Sequence, residues 1–91
     1  ADGQFCIGLF YANGAGVEQN YEEAIKWFKE AALQGEPDSM FHLAQLYNEG
    51  LGVEKDMNLV AIYLYMAADR GFQPAIDAIN KNRIPRPERK E

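Results

Sequence analysis

Gly14-Ala15-Gly16-Val17-Glu18 returns as Gly50-Leu51-Gly52-Val53-Glu54, at an offset of 36 residues. At that offset Phe5 also matches Phe41, Tyr11 matches Tyr47, Ala31-Ala32 match Ala67-Ala68, and Gly35 matches Gly71. Self-similarity at a fixed period of this size marks an array of supersecondary units, each too small to bury its apolar face alone. The two glycines of the loop, spaced two apart, are free to take φ > 0 and lie between stretches of helical periodicity. They read as the joint of each unit, and valine at Gly52 is expected to be costly if that residue sits at positive φ.

Working outward from the first loop, Asp2 to Asn13 reads as a helix, with Ile7, Gly8 and Tyr11 on one face. Glycine at position 8 suits a helix only where another must approach closely, and its counterpart Ala44 is also small. Tyr21 opens a second helix to about Gln34, its apolar stripe formed by Tyr21, Ala24, Ile25, Phe28, Ala31 and Ala32, widened by Trp27. Glu22 and Glu23 fall in its first turn, where negative charge complements the helix dipole, and Gly35 caps its end. Glu36-Pro37-Asp38-Ser39 restarts the pattern: proline suits a first turn, and Asp38 or Ser39 is expected to satisfy free backbone N–H groups there. The third helix runs to about Glu49 with Leu43, Ala44, Leu46 and Tyr47 inward. The fourth covers Met57 to Arg70, and a fifth runs from Pro74 to Asn82 with Ala75, Ile76, Ala78 and Ile79 as its apolar side. Ile84-Pro85-Arg86-Pro87 is incompatible with continued helix.

The fold class expected is therefore all-α, a short right-handed α-solenoid of helix-loop-helix units. Unit one covers residues 1–35, unit two 36–71, a half unit 72–82, and a basic proline-containing tail 83–91. The 91-residue chain carries a net charge of −5, but Lys81 to Glu91 is +3, leaving −8 on the remainder. An acidic body argues against nucleic acid as a partner, since phosphate contact needs a basic face. Cys6 is the single cysteine, so no intrachain disulfide forms, as suits a reducing compartment. The longest apolar run, Leu59 to Ala68, is about half of what a membrane-spanning helix needs, so membrane insertion is not expected.

Ile7-Gly8-x-x-Tyr11-x-x-Gly14-x-Gly16-Val17, followed by Tyr21-x-x-Ala24-x-x-Trp27-Phe28-x-x-Ala31-Ala32-x-x-Gly35, resembles a Sel1-like repeat, a cousin of the tetratricopeptide repeat. The second unit matches through Leu43-Ala44, Tyr47, Gly50-x-Gly52-Val53, Asp56, Ala67-Ala68 and Gly71. It departs at Ala44, Met57, Val60 and Leu64, where the family favours glycine, tyrosine, alanine and an aromatic. The resemblance implies adaptor work: proteins of this kind are scaffolds that hold other proteins in complexes, in bacterial signalling and host interaction and in eukaryotic endoplasmic-reticulum quality control. Some secreted bacterial members carry a disulfide in each repeat; this chain lacks those cysteines.

By analogy with the tetratricopeptide repeat, the first helix of each unit lines a curved face. Its candidate partner-binding residues are Phe5, Leu9 and Asn13, with Ala12, then Phe41, Gln45, Asn48 and Glu49, with Asp77 from the half unit. A second candidate comes from comparing the units. Glu23, Lys26, Lys29 and Glu30 face outward from the second helix, and their counterparts are Leu59, Ile62, Tyr65 and Met66. A charged outer face has become apolar, and such a face needs cover from the chain's own tail through Ile84 and the prolines, another subunit, an adjoining domain or a partner protein. The missing polar cap before the first helix points to a longer array or to end-to-end self-association.

Catalytic readings find little support. The sequence holds one serine, one histidine and no threonine. Asp38, Ser39 and His42 fall within one turn, but a catalytic pair needs a base held by a third group in a shaped pocket. His42 and the distant Cys6 cannot supply the four ligands of a structural zinc, and Gly14-x-Gly16 lacks the Gly-Lys-Ser/Thr of a phosphate loop. No cofactor is implied. A module that binds a protein or peptide through its helical surface is the leading expectation. A purely structural or self-assembling segment of a longer scaffold is the alternative.

Overall fold

The computed structural model describes residues 2–14 and 16–86. Five helices follow in order: α1 (Asp2–Asn13), α2 (Tyr21–Leu33), α3 (Pro37–Glu49), α4 (Met57–Asp69) and α5 (Gln73–Asn82). Each packs on the next in the chain, α1 on α2 through α4 on α5, forming a short all-α solenoid. The helix ends fall within one residue of those read from periodicity. The last basic residues of the tail, Arg89 and Lys90, lie outside the described residues.

The repeat is visible in hydrogen bonds as well as in residues. The N–H of Asn20 donates to the Tyr11 carbonyl (2.8 Å) and that of Asp56 to the Tyr47 carbonyl (3.3 Å), so each glycine loop folds back onto the helix it leaves. The same two residues cap the helices that follow. Asn20 Oδ1 accepts from the Glu23 N–H at 3.1 Å, and Asp56 Oδ1 accepts from the N–H groups of Asn58 and Leu59 at 3.0 and 3.2 Å. Such a cap contributes about 1 kcal/mol of helix stability. At the other ends, Glu36 and Phe72 donate their N–H groups to Ala31 and Ala67, and Gly35 and Gly71 donate to Ala32 and Ala68. Both repeated Ala-Ala pairs thus end their helices in one hydrogen-bonded pattern.

At the start of α3 the sequence expectation needs correction. The N-cap is Glu36, without a side-chain cap bond, and Pro37 occupies the first turn. Asp38 and Ser39 lie inside the helix, two and three positions past the cap, too late to cap it, because a capping side chain must precede the helix on extended backbone. Ser39 is instead fully buried, and among the described residues its hydroxyl has no hydrogen-bond partner. Its place in the period is held by Gly3 in the first unit and Ala75 in the third, so a small residue is what the packing requires.

The core runs along the stack through Phe28 of α2, Met40 and Leu43 of α3, and Leu64 and Ala67 of α4. A Cβ added to Gly8 would stand 2.7 Å from the ring of Phe28, which is wholly buried, so α1 reaches α2 only because position 8 lacks a side chain. The second glycine loop makes a still closer approach. Gly52 sits at φ 77°, and a Cβ there would lie 2.5 Å from Tyr21 Cβ, 2.8 Å from the Tyr21 carbonyl carbon and 3.0 Å from the Glu22 nitrogen. Gly16 has the same backbone conformation (φ 80°), but no described atom lies within 4 Å of its added Cβ.

This difference separates backbone strain from inter-unit packing. Valine at Gly16 or at Gly52 meets the same left-handed strain, on the order of 1–2 kcal/mol. At Gly52 it also displaces the first turn of α2, an overpacking penalty of about 1–3 kcal/mol more. Urea unfolding of Gly16→Val and Gly52→Val is expected to show the second as clearly the less stable. Equal midpoints would mean that the loop does not rest on α2.

Candidate protein-interaction surfaces

Two surfaces stand out, one on each set of helices. The first is shared by α1, α3 and α5. Leu9, Asn13, Gln45 and Glu49 surround a depression of about 290 Å³ between α1 and α3, floored by Phe28, His42 and Leu46. Phe41, Gln45 and Asn48 border a second depression of about 360 Å³, closed on its far side by Ala78 and Asn82 of α5 and by Ile84. Gln45 lines both and forms the ridge between them. Asn13, Gln45, Asn48 and Glu49 are exposed, and among the described residues their side chains make no hydrogen bond or ion pair.

The two aromatic candidates differ from these polar ones. Phe5 lines neither depression. It packs against the core, with its ring 5.8 Å from Phe28 and 5.2 Å, edge-on, from His42. Phe41 does both: it borders the second depression and packs against Phe72 with ring centroids 5.7 Å apart. Ala12 offers its carbonyl to Gln19 Nε2 at 2.8 Å, and Asp77 is exposed and accepts a bond from Gln73 at 2.8 Å. The Asp38, Ser39 and His42 side chains do not form a nucleophile and base pair. His42 Nδ1 lies 2.9 Å from the Asp38 backbone carbonyl, while the Ser39 hydroxyl faces the interior.

The second surface is a groove of about 670 Å³ between α2 and α4. Leu59, Ile62 and Met66 line it together, but Tyr65 does not. The Tyr65 hydroxyl donates to the Ile84 carbonyl, and the Arg86 guanidinium lies over its ring, 4.5 Å from the centroid. Arg86 also pairs with Asp69 at 3.2 Å. The described part of the tail, to Arg86, therefore covers the Tyr65 side of α4, and none of its residues lines the groove beside Leu59, Ile62 and Met66; Met66 is 39% exposed and the other two are half-buried. Periodicity within single units did not reveal the opposite wall, to which Lys29, Ala32 and Leu33 contribute, nor Tyr63 and Arg70. Leu33, a large apolar side chain 83% exposed at the end of α2, was the one available signal.

Helix-loop-helix units packed in series, with side chains exposed on two long faces, define an α-solenoid repeat module. The Sel1 repeat model matches residues 1–36 and 37–72, and the chain belongs to the Sel1 repeat family, whose members are protein-interaction repeat modules. It is 40% identical over 53 residues to the ERAD-associated E3 ubiquitin-protein ligase component HRD3A of Arabidopsis thaliana, covering 57% of this chain and 8% of that protein. It is 43% identical over 63 residues to protein sel-1 homolog 2 of Mus musculus, covering 68% of this chain and 9% of that protein. It thus spans a small fraction of the length of these relatives. Among solved structures it is similar to a protective antigen of uropathogenic Escherichia coli with an SLR fold, at a TM-score of 0.85 and 34% identity over 88% of this chain and 17% of that one. It also resembles a Sel1 repeat protein of Oxalobacter formigenes, at a TM-score of 0.80 and 35% identity over 81% and 30% of the two chains. Among the described residues no helix is long and apolar enough to cross a membrane.

Tyr63, on the wall of the α2–α4 groove, stacks on the buried Tyr47 with centroids 6.0 Å apart. Burial raises its pKa above the ordinary 10.0, the neighbouring Tyr47 adds to the rise, and Lys29 opposes it. The unfolded chain therefore loses this proton first. Above pH 10.0 the folded state holds more protons than the unfolded one, so stability falls as pH rises through the raised value. Tyr63→Phe is expected to make the loss of thermal midpoint between neutral pH and the alkaline range shallower. An unchanged alkaline slope would show that Tyr63 ionises as freely when folded.

Proposed function

We propose that this chain binds another protein, as a segment of polypeptide, on the face shared by α1, α3 and α5. The observation that carries the reading is the row Asn13, Gln45 and Asn48, three exposed amides whose side chains make no hydrogen bond among the described residues, set along two adjoining depressions with apolar floors. A side-chain amide offers both a donor and an acceptor, so it can match the N–H and C=O groups of an extended peptide whatever its sequence. The depressions then take apolar side chains of the same peptide, and Glu49 favours a basic residue at one end. Phe5 serves this face indirectly, by holding His42 and Phe28 beneath the first depression. The role is one of binding and not of catalysis, and it needs no cofactor. The names of the relatives, among them a component of a ubiquitin-ligase assembly, support a role within larger protein complexes.

Peptides selected from a random library on the native chain provide the test. Gln45→Ala with Asn48→Ala removes two hydrogen bonds worth about 1 kcal/mol each, which corresponds to a loss of affinity of about 10- to 30-fold. Both residues are exposed, so the thermal midpoint is expected to stay within a degree or so. Selected peptides that bind the double variant undiminished, or an absence of selectable peptides, would favour the alternative of a purely structural segment in a longer scaffold.

A further inference from the structure

We propose that the groove between α2 and α4 is a second docking site, separate from the α1–α3–α5 face, and that its occupant is a short amphipathic helix of another protein with acidic residues along one edge. Three observations lead there.

The first is the chemistry of the floor. Leu59, Ile62 and Met66 of α4 face Ala32 and Leu33 of α2 across the groove. Both walls are α-helices, and short of their last turns the backbone N–H and C=O groups are already paired within the helix. An extended peptide laid on such a floor would bury its own backbone groups without partners, at a cost of roughly 1–3 kcal/mol for each. A helix satisfies its backbone internally and presents only side chains, so the surface selects a helical occupant. The wall from Leu59 to Arg70 extends about 16 Å at 1.5 Å per residue, enough for about three helical turns.

The second is the charge of the rim. Lys29 and Arg70 stand at the groove, and among the described residues neither is in an ion pair. The one carboxylate there, Asp69, is already neutralised by Arg86 at 3.2 Å. On a chain of net charge −5, this is a local positive edge beside an apolar floor. Glutamate or aspartate on the incoming helix complements it, steering the encounter and fixing the orientation. A two-fold contact between copies would instead set this positive rim close to its own image.

The third is asymmetry between the units. The positions that are Leu59, Ile62 and Met66 in α4 are Glu23, Lys26 and Glu30 in α2, and Glu23 and Lys26 there form an ordinary surface pair at 3.4 Å. The repeat fold is thus built equally well with a charged outer face. The described part of the tail, to Arg86, reaches Tyr65 but does not line the groove, so no described tail residue covers the apolar three there.

The test uses a phage-displayed library of helix-forming peptides, panned on the full chain carrying Gln45→Ala and Asn48→Ala, so that failure of the first face and failure of this groove are read separately. Enriched peptides are expected to carry apolar residues at i, i+3 or i+4, and i+7 beside Asp or Glu. Their affinity is expected to fall about tenfold or more on Lys29→Glu with Arg70→Glu, and likewise on Met66→Glu. All three substituted positions are exposed, and circular dichroism checks that each variant folds. Enrichment of peptides indifferent to these changes, or no enrichment, would overturn the proposal. So would light scattering that finds the native chain dimeric and the Met66→Glu chain monomeric, since the groove would then belong to a second copy.

Discussion

The stack depends on a glycine pressed against a helix start. Gly52 lies so close to Tyr21 and Glu22 that no other residue fits without moving backbone atoms. A side-chain clash can be relieved by a change of rotamer; a clash with a carbonyl carbon and an amide nitrogen cannot. The loop of the second unit is thereby seated on the first turn of α2, which sets where α3 ends and α4 begins relative to the unit before. Gly8 does the same inside the first unit by letting Phe28 lie against α1. With both approaches in place, the remaining helices follow by repetition: the same cap, the same return bond to a tyrosine carbonyl and the same Ala-Ala ending.

That register creates two faces of different chemistry. The α1–α3–α5 face is mostly neutral and amide-rich, with acidic Glu49, and its depressions are small. The α2–α4 groove is larger, apolar along its floor and positive at its rim. A peptide suited to one is poorly suited to the other. An extended chain needs the amides, whereas an acidic helix needs the dry floor and the cations. The two proposed sites share no lining residue, so an occupant of one leaves the contacts of the other free.

What could be read in advance was what occurs twice. Helix positions, the loops, the inward residues and the close approach at Gly8 all followed from aligning one unit with the other, because a constraint shared by two units leaves its mark at a fixed offset. Features that depend on how units meet were not legible. The groove has one wall from each unit, so Lys29 and Arg70 gave no sign of facing it. Tyr65 was grouped with Leu59, Ile62 and Met66 because all four replace charged residues. Yet it lies six positions beyond Leu59, a rotation of about 120° round the helix, which places it toward the tail. The start of α3 misled for a simpler reason. Asp38 and Ser39 are residues of the type that caps helices, but Pro37 had already begun the helix before them.

The most direct measurement is the nuclear Overhauser contact between the Gly52 Hα protons and the Tyr21 Hβ protons in the native chain. Seating of the second loop on α2 predicts a strong cross-peak, since a Cβ built on Gly52 would lie 2.5 Å from Tyr21 Cβ. Its absence, with Gly52 seen only by its own loop neighbours, would mean that the units are joined in another register, and both faces would have to be drawn anew.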